Sequence, residues 1–362
     1  MIEKTFFTHR PQRLFRPAGL LTLLGLILLS ACGEIPGAAP VSTEASSPAI
    51  SVLFTDPYAP TARKGTGGPD EPLAAAIAGA QKSVDIAVLN LSLNSVSQAM
   101  VQTHQRGVKV RLVLDDQYAD RQVPAQLASK GIPIMADGSD SLMHNKFAVI
   151  DGNQVWTGSM NFTGSGTYED HNLLALIDST QLARDYTTEF EEMFARNEYS
   201  AGSPADTPYP QITLDGRNIE VFFAPEDRPA RRLNNLLQNA RDEITILAYS
   251  FTSDTLTETI LERAAVGVRV RGVFEAEQVE SNTGGDFERL HDAGLDVHRD
   301  GLPGQMHIKA MVVDRRIVAF GSYNFTYSAE NRNDENLLIV EDAALVEQFL
   351  NEFEKIYAKS EP

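Results

Sequence analysis

The chain of 362 residues is 43% hydrophobic, which is enough apolar material for one or two globular domains. Its formal net charge of −18 at pH 7 excludes a basic nucleic-acid footprint at the level of the whole chain. A local basic cleft stays compatible with this balance, because net charge does not say how charge is distributed.

The N-terminal segment has the pattern of a bacterial signal sequence. A basic region ends at Arg16, and an apolar stretch then runs from about Ala18 to Leu29, shorter than the roughly 20 residues that a membrane-spanning helix needs. The stretch closes with Leu-Ser-Ala-Cys, which resembles the lipobox, where the cysteine is lipidated and becomes the first residue of the mature protein. We expect a lipoprotein signal peptide at residues 1–31, the alternative being a plain secretory signal followed by a chance cysteine.

Cys32, the lipidation candidate, is the only cysteine of the chain and cannot form an internal disulfide. Residues 32–49 are rich in Ala, Pro, Ser and Thr, which predicts a flexible tether. Because Gly33 rather than aspartate follows the cysteine, the lipobox resemblance implies sorting to an outer membrane. We therefore expect a lipid-anchored protein of the bacterial cell envelope that faces the periplasm.

An internal repeat organises the remainder of the chain. Three pairs of segments match in order: residues 83–92 with 243–252, 107–116 with 267–276, and 127–138 with 290–301. The repeat predicts two copies of one domain, at residues 50–197 and 212–362. The segment between them, 198–211, is rich in Pro, Ser and Gly and is predicted to be a linker.

Each copy shows the same succession of elements. A β-branched strand is followed by a periodic helix, a second strand and helix, a third strand and helix, a polar hairpin and a closing helix. The predicted first helices lie at 72–81 and 230–240, the second end at Gly107 and Gly267, the third end at Gly131 and Gly294, and the closing ones lie at 180–194 and 342–357. Strands alternating with helices predict a layered α/β fold with a largely parallel sheet in each copy. Duplicated domains commonly pack about a pseudo-two-fold axis, so equivalent edges could face one cleft.

The hairpin of each copy carries an unusual set of polar residues. In both copies His-x-Lys is followed by four residues, then Asp, six further residues, and Gly-Ser-x-Asn. The members are His144, Lys146, Asp151, Gly158, Ser159 and Asn161 in the first copy, and His307, Lys309, Asp314, Gly321, Ser322 and Asn324 in the second. Side chains two apart on a strand point to the same face, so each histidine is expected beside its lysine.

This set of side chains suits a phosphate. Lysine, asparagine and serine all donate hydrogen bonds, and doubled across an interface they would surround an oxyanion with donors. Two imidazoles on opposite sides suit an in-line displacement at phosphorus, in which one attacks and the other protonates the leaving oxygen. We expect no metal and no cofactor in this step, because the lysines supply the positive charge.

Both motifs resemble the signature of the phospholipase D superfamily, and the resemblance covers the chain from about Ile50 to Tyr357. It implies two similar α/β/α sandwich domains with the active site at their pseudo-two-fold interface. It also implies that the N-terminal histidine is the nucleophile and the C-terminal one the general acid and base. Carried over residue by residue, the nucleophile is His144, the general acid is His307, the phosphate is held by Lys146, Lys309, Asn161 and Asn324, and Ser159 and Ser322 support the turn or the lysines.

The acidic residues near the motifs are assigned less directly. Asp151 and Asp314 are interpreted as structural, although a role in orienting side chains stays open. In the second copy Glu335, within Asp-Glu-Asn, resembles the acid that orients a histidine in the superfamily. The first copy reads Glu-Asp-His-Asn at residues 169–172, with His171 in the matching place, so Asp170 or Glu169 is expected to substitute.

The superfamily includes phospholipases, phosphatidyl transferases, cardiolipin synthases and nucleases, so the substrate must be argued separately. A lipid anchor would hold the protein where phospholipid is concentrated, and the acidic charge opposes binding of a polyanion. We expect phospholipase D-type hydrolysis of a phospholipid by a monomer, since one chain holds both half-sites. The alternative is an envelope nuclease that uses the same site; a phosphatidyl transferase or a lipoprotein that only binds is less favoured, because both motifs are intact.

Overall fold

Two copies of one α/β unit make up residues 49–362, the part of the chain that the computed structural model describes. The predicted signal peptide, Cys32 and nearly all of the predicted tether lie outside these described residues. No helix within residues 49–362 combines the length and the apolar character needed to cross a bilayer. Residues 49–362 belong to one compact unit, and the predicted boundaries at 197 and 212 stay a prediction.

The first copy contains seven strands and six helices in the described residues. The strands are β1 (Ile50–Phe54), β2 (Ser83–Val88), β3 (Lys109–Leu114), β4 (Ile134–Ala136), β5 (Lys146–Ile150), β6 (Gln154–Gly158) and β7 (Leu173–Asp178). The helices are α1 (Asp70–Gly79), α2 (Asn94–Gln105), α3 (Asp116–Ala119), α4 (Gln122–Ser129), α5 (Gly164–Tyr168) and α6 (Thr180–Glu191). The α6 helix starts at Ser179, whose side chain accepts from the N–H of Leu182, and continues into a π-helical turn at Glu192–Arg196.

The second copy repeats this order and adds one strand at its start. Its strands are β8 (Gln211–Leu214), β9 (Arg217–Ala224), β10 (Glu243–Ala248), β11 (Arg269–Phe274), β12 (Asp296–Arg299), β13 (Lys309–Val313), β14 (Ile317–Gly321) and β15 (Glu335–Glu341). Its helices are α7 (Pro229–Gln238), α8 (Asp254–Ala265), α9 (Ala276–Ser281), α10 (Phe287–Asp292), α11 (Tyr327–Asn331) and α12 (Ala343–Tyr357).

Both sheets are mixed, and the expectation of largely parallel sheets was wrong. The first sheet has the order β1-β7-β6-β5-β2-β3-β4, and the second has β12-β11-β10-β13-β14-β15-β9-β8. Only β2–β3 and β3–β4, with β10–β11 and β11–β12 in the second sheet, are parallel. The motif strands are joined by tight turns that can only reverse the chain, so they pair antiparallel.

The register of the motif strands places each lysine at one edge of its sheet. Lys146 pairs with Val88, the last residue of β2, and Lys309 pairs with Ala248, the last residue of β10. The lysines therefore enter at the carboxyl ends of the parallel strands, which is where open α/β sheets commonly bind ligands.

The two copies share a central hydrophobic core. Alternate residues of β5 point to opposite faces, with Phe147 and Val149 in the central core and Ala148 and Ile150 in an outer core. The central core contains the apolar faces of α6 and α12, and separate outer cores cover the other face of each sheet. The predicted fold of two similar α/β/α units is confirmed.

Asp151 and Asp314 hold the start of the central strand in their own copy. The carboxylate of Asp151 accepts the backbone N–H groups of Gln81, Lys82 and Ser83 at 2.6–3.0 Å. Asp314 accepts the equivalent N–H groups of residues 241–243. Burial raises the pKa of Asp151, but the three N–H donors outweigh it and the pKa is lowered. Both aspartates therefore hold the backbone at the start of β2 and β10.

Replacing Asp151 with alanine is expected to lower the free energy of unfolding by about 2 kcal/mol, because three backbone donors lose a charged acceptor. The measurement is the urea unfolding curve of each protein. Asp140→Ala, at an exposed position, is the control and should stay within about 0.5 kcal/mol of the parent. Equal midpoints for the two variants would contradict the structural role.

Candidate active site

The two His-x-Lys motifs meet at the interface between the copies. The N–H of His144 donates to the carbonyl of Asp334 at 2.9 Å, and the N–H of His307 donates to the carbonyl of His171 at 2.8 Å. Each motif is thus attached to the backbone of the opposite copy. Burial is the largest cause of the lowered pKa of each histidine, and the charges of both lysines lower it further. All four groups therefore share one electrostatic environment.

Both motif lysines are fully buried, with 0% of their surface exposed. Lys146 Nζ donates to the carbonyl of His144 at 2.6 Å, and Lys309 Nζ donates to that of His307 at 2.7 Å. Burial lowers the pKa of Lys146 to about 7, and burial with repulsion from Lys146 lowers the pKa of Lys309. Two buried ammonium groups stabilise an anion bound between them, and the anion in turn favours their charged forms.

Asn161 and Asn324 follow β6 and β14 and are half-buried. The side-chain oxygen of each is buried and has no hydrogen-bond partner among residues 49–362. The amide oxygen only accepts, so the predicted role in holding phosphate falls to the NH₂ group of each side chain, which donates. That role stays a prediction.

The ring of His144 is oriented by a carboxylate of the other copy. Its Nδ1 lies 2.8 Å from Oε2 of Glu335, and the hydroxyl of Ser322 donates to the same oxygen at 2.7 Å. Ser322 therefore supports the group that orients the histidine, a more specific task than the turn or the lysine that we expected. Burial raises the pKa of Glu335 to about 8, and burial lowers that of His144.

The ring of His307 is oriented by a neutral amide instead. Its Nδ1 lies 2.9 Å from Oδ1 of Asn172 and 3.1 Å from the carbonyl of Ser159. The hydroxyl of Ser159 donates to the same Asn172 oxygen at 2.8 Å. Because Asn172 Oδ1 and the Ser159 carbonyl can only accept, the proton of this ring nitrogen is fixed and Nε2 is left for the ligand.

The expected correspondence between the two copies was wrong by one residue. Gly158 pairs with Leu174 and Gly321 pairs with Leu337, which makes Asn172 the equivalent of Glu335. Alignment on the shared asparagine had matched His171 to Glu335, but the strand register decides which side chain faces the site.

Asp170 and Glu169 do not orient a histidine, contrary to our expectation. The Asp170 carboxylate accepts the N–H of Gln305 at 3.2 Å, and Glu169 is exposed. The ring of His171 packs against Tyr58, and neither of its nitrogens has a hydrogen-bond partner in the described part of the chain.

Tyr249 belongs to the site and was not recognised in the sequence. Its ring lies 4.4 Å from Nζ of Lys309 and 4.5 Å from the ring of His307. The sequence signal was a tyrosine directly after β10 where the first copy has Leu89 after β2. The aromatic face stabilises the lysine charge and closes one side of the site.

An acidic cavity of about 420 Å³ lies beside the second motif. Five carboxylates line it, and none of its lining residues, all within the described range, is lysine or arginine. Those carboxylates are Glu169, Asp170, Glu275, Glu277 and Asp300. Gln305 also lines the cavity and stands two residues before His307, which places the cavity next to the second motif. The region beside the phosphate site therefore favours a cationic group.

Two groups of carboxylates within residues 49–362 could hold a metal ion, and neither contains a motif residue. One consists of Asp115, Asp116 and Asp137, and the other of Glu189, Glu192 and Glu226. The motif residues themselves offer amines, imidazoles and amides, a set that favours an anion over a cation.

Comparison with known proteins agrees with this geometry. The family model described as "Cardiolipin synthase, PLD-like domain" matches residues 73–194 and 233–357. A phospholipase D of Rickettsia conorii is 32% identical over 140 residues, which are 38% of this chain and 68% of that protein. Human mitochondrial cardiolipin hydrolase is 37% identical over 168 residues, 44% of this chain and 66% of that protein.

A likeness to a solved structure extends over both copies. The phosphatidylserine synthase of Haemophilus influenzae has a TM-score of 0.61 and is 14% identical, with 86% of this chain and 87% of that chain covered. At this identity the likeness concerns the fold alone.

Replacing Asn172 with aspartate tests the electrostatic difference between the two histidines. The new carboxylate stabilises the imidazolium, so the pKa of His307 should rise by about 1–3 units, and its ring should stay protonated to higher pH. The measurement is an NMR titration of the imidazole signals, assigned with a His307→Asn variant. Asn239→Asp makes the same chemical change at an exposed position and should leave the titration of His307 unchanged. An unchanged titration in Asn172→Asp would contradict the contact.

Proposed function

The chain belongs to the phospholipase D-like family of phosphodiesterases, and from that premise we propose that it hydrolyses phospholipids of the phosphatidylcholine type to phosphatidic acid and free alcohol. The observation that carries the proposal is that a site for an anion lies next to a site for a cation. Two buried lysines favour the phosphate, and the acidic cavity beside the second motif favours a cationic head group. The two relatives with similar sequences, a phospholipase D and a cardiolipin hydrolase, support a lipid substrate.

In the first step His144 is the nucleophile. With its Nδ1 proton directed to Glu335, the lone pair of Nε2 attacks phosphorus and forms a P–N bond. The bond from phosphorus to the head-group oxygen breaks, and that oxygen takes a proton from Nε2 of His307. Burial and the lysines lower the pKa of His307 in the unliganded protein, and the negative charge of the bound phosphate diester favours its protonated form again. Lys146 and Lys309 stabilise the charge that develops on the phosphoryl oxygens.

In the second step His307 acts as the base. Its Nε2 accepts a proton from water, the water oxygen attacks phosphorus, and the P–N bond breaks. The electron pair of that bond returns to His144, and phosphatidic acid is released. The enzyme is then in its starting state with His307 protonated.

The different partners of the two histidines support this division of roles. A phosphorylated imidazole that retains its Nδ1 proton is cationic, and the carboxylate of Glu335 stabilises that charge. The amide of Asn172 gives His307 no such charge, so its imidazolium is the stronger acid and the better proton donor. The acidic cavity lies on the side of His307, where the departing amino alcohol must be protonated. Choline or ethanolamine would meet the carboxylates of the cavity there.

The substrate is tested with vesicles of labelled phosphatidylcholine, vesicles of cardiolipin, and DNA, each offered to the purified protein. Phosphatidylcholine should be cleaved fastest, because only this substrate places a fixed positive charge in the acidic cavity. Cleavage of DNA alone would replace our proposal with a nuclease, and no cleavage of any substrate would reject catalysis on these substrates.

The same labelled lipid tests the roles of the histidines. With the label in the lipid phosphate, a quench in neutral detergent should trap label on the parent protein that is stable to base and lost in acid, and His144→Ala should lower it by at least about 1000-fold. Label that persists in His144→Ala and disappears in His307→Ala would reverse the assignment.

We further propose that the protein is a monomer anchored to the bacterial envelope through lipidated Cys32. Support comes from the lipobox-like sequence and from the presence of both half-sites in one chain. In a bacterial host grown with labelled palmitate, the full chain should carry label and sediment with membranes. Cys32→Ser should lose both, whereas Ser30→Ala, which keeps the cysteine and a small residue before it, should keep both. Membrane sedimentation of an unlabelled parent protein would reject the anchor.

A further inference from the structure

A group of buried carboxylates lies where the first copy meets the second. Glu189 belongs to α6, Glu192 begins the π-helical turn that follows it, and Glu226 lies in the loop between β9 and α7. Each offers a carboxylate oxygen, and these three oxygens all lie within 4.8 Å of one another. We call these three residues the glutamate cluster.

The glutamate cluster has few protein partners for carboxylates so buried. Glu192 is 2% exposed, and its Oε2 has no hydrogen-bond partner in residues 49–362; the same holds for Oε2 of the half-buried Glu226. The neighbouring Asp334 is also buried, and its Oδ2 is unpartnered in the same range. Buried charges are normally paired or bound to metal. The one basic contact within this range is Arg196, which lies 3.2 Å from Glu192 but also contacts Glu198 on the surface.

The internal duplication supplies a comparison for this charge. Glu189 and Glu192 stand at the same distances from the N-cap of α6 as Glu352 and Lys355 do from that of α12. In α12 the lysine neutralises the buried Glu352 with an ion pair of 2.8 Å. In α6 the lysine position is occupied by Glu192, so the first copy has a further carboxylate where the second copy has a cation.

We propose that the glutamate cluster binds one hard divalent cation, Ca²⁺ in preference to softer metals. All of its ligands are carboxylate oxygens, with no histidine or cysteine, which is the donor set that calcium prefers. Because the three oxygens all lie within 4.8 Å of one another, they are near enough to share one ion with calcium–oxygen distances of about 2.4 Å. A fixed ion at this place would join the end of α6 to the β9–α7 loop of the other copy.

The cluster is connected to the segment that carries the first histidine. Glu189 accepts from Nδ2 of Asn145 at 3.0 Å, and Asn145 stands between His144 and Lys146. The side-chain oxygen of Asn145 accepts in turn from Asn336 at 2.8 Å, beside Glu335. The cation would therefore fix the position of His144 without touching the phosphate, and no step of the reaction passes through it.

Protons are the competing way to neutralise the cluster. Burial and the nearby Asp206 raise the pKa of Glu192 to about 9, so a protonated carboxyl could replace the ion. Direct measurement of metal binding separates the two cases, and it does so whether or not the proposed lipid hydrolysis is correct.

The experiment uses the whole folded protein, freed of metal by dialysis against EDTA and titrated with Ca²⁺ by calorimetry near neutral pH. We expect one ion per chain and a melting temperature that rises by about 3–5 °C at saturation. Glu192→Lys rebuilds the arrangement of α12, so it should abolish binding and make the melting temperature independent of EDTA. Asp116→Asn, in the other group of carboxylates, is the matched control and should keep one ion with unchanged affinity.

Failure of the parent protein to bind Ca²⁺ at about 10 mM, above the weakest range of natural calcium sites, would overturn the proposal in favour of protons. Binding that survives Glu192→Lys and is lost in Asp116→Asn would assign the ion to the other carboxylates. If Glu192→Lys does not fold, Glu226→Gln, which changes a half-buried loop residue, should lower the affinity at least about tenfold. Unchanged affinity in that variant would also overturn the proposal.

Discussion

His144 donates its N–H to the carbonyl of Asp334, and His307 donates its N–H to the carbonyl of His171. Each copy thereby fixes the histidine segment of the other, and the remaining contacts of the site follow from this exchange. The residue that follows each acceptor in sequence is Glu335 or Asn172. Its side chain contacts the imidazole of the same histidine whose backbone the acceptor holds. The phosphate site thus exists only where both copies are packed together. The lysines begin β5 and β13, and each histidine stands two residues before its strand, held there by the other copy.

The site concentrates charge that neither copy could keep buried alone. The two lysines are fully buried, and the negative charges of Glu335, Asp115 and Asp170 only partly offset the lowering of their pKa values by burial. Their lowered pKa values show how strongly this environment disfavours further positive charge in the unliganded protein. Burying such groups destabilises the folded protein, and binding of an anion offsets this destabilisation. The free energy that the anion recovers in this way contributes to its affinity.

Much of this arrangement could be predicted from the sequence because the residues concerned repeat. The doubled His-x-Lys and Gly-Ser-x-Asn patterns predicted the pairing of the copies, and the period of two on a strand predicted that His144 and Lys146 lie together. The antiparallel centre of each sheet could not be predicted in this way, since strand-helix alternation does not determine how a hairpin joins the sheet. Strand register also escaped the sequence, which is why His171 was matched where Asn172 belongs.

Features that differ between the copies were the hardest to recognise. Tyr249 follows a strand whose counterpart is followed by leucine, and Glu192 stands where the other copy has lysine, so a search for similarity passes over both. Comparison of the two copies therefore identifies the motif, but it does not identify the residues by which the two halves of the site differ. Only the folded chain shows what each unequal residue contacts.

Near the pseudo-two-fold axis, the hydroxyl of Thr157 donates to the amide oxygen of Asn336 at 2.8 Å. The equivalents of these two residues, by their place beside Gly321 and Leu174, are Phe320 and Leu173. Two first copies packed together would set Thr157 against leucine, and two second copies would bury the Asn336 amide against phenylalanine, a loss of about 1–3 kcal/mol for each unpaired group. The polar pair thus stabilises packing of a first copy against a second copy. It disfavours packing of two identical copies from neighbouring chains.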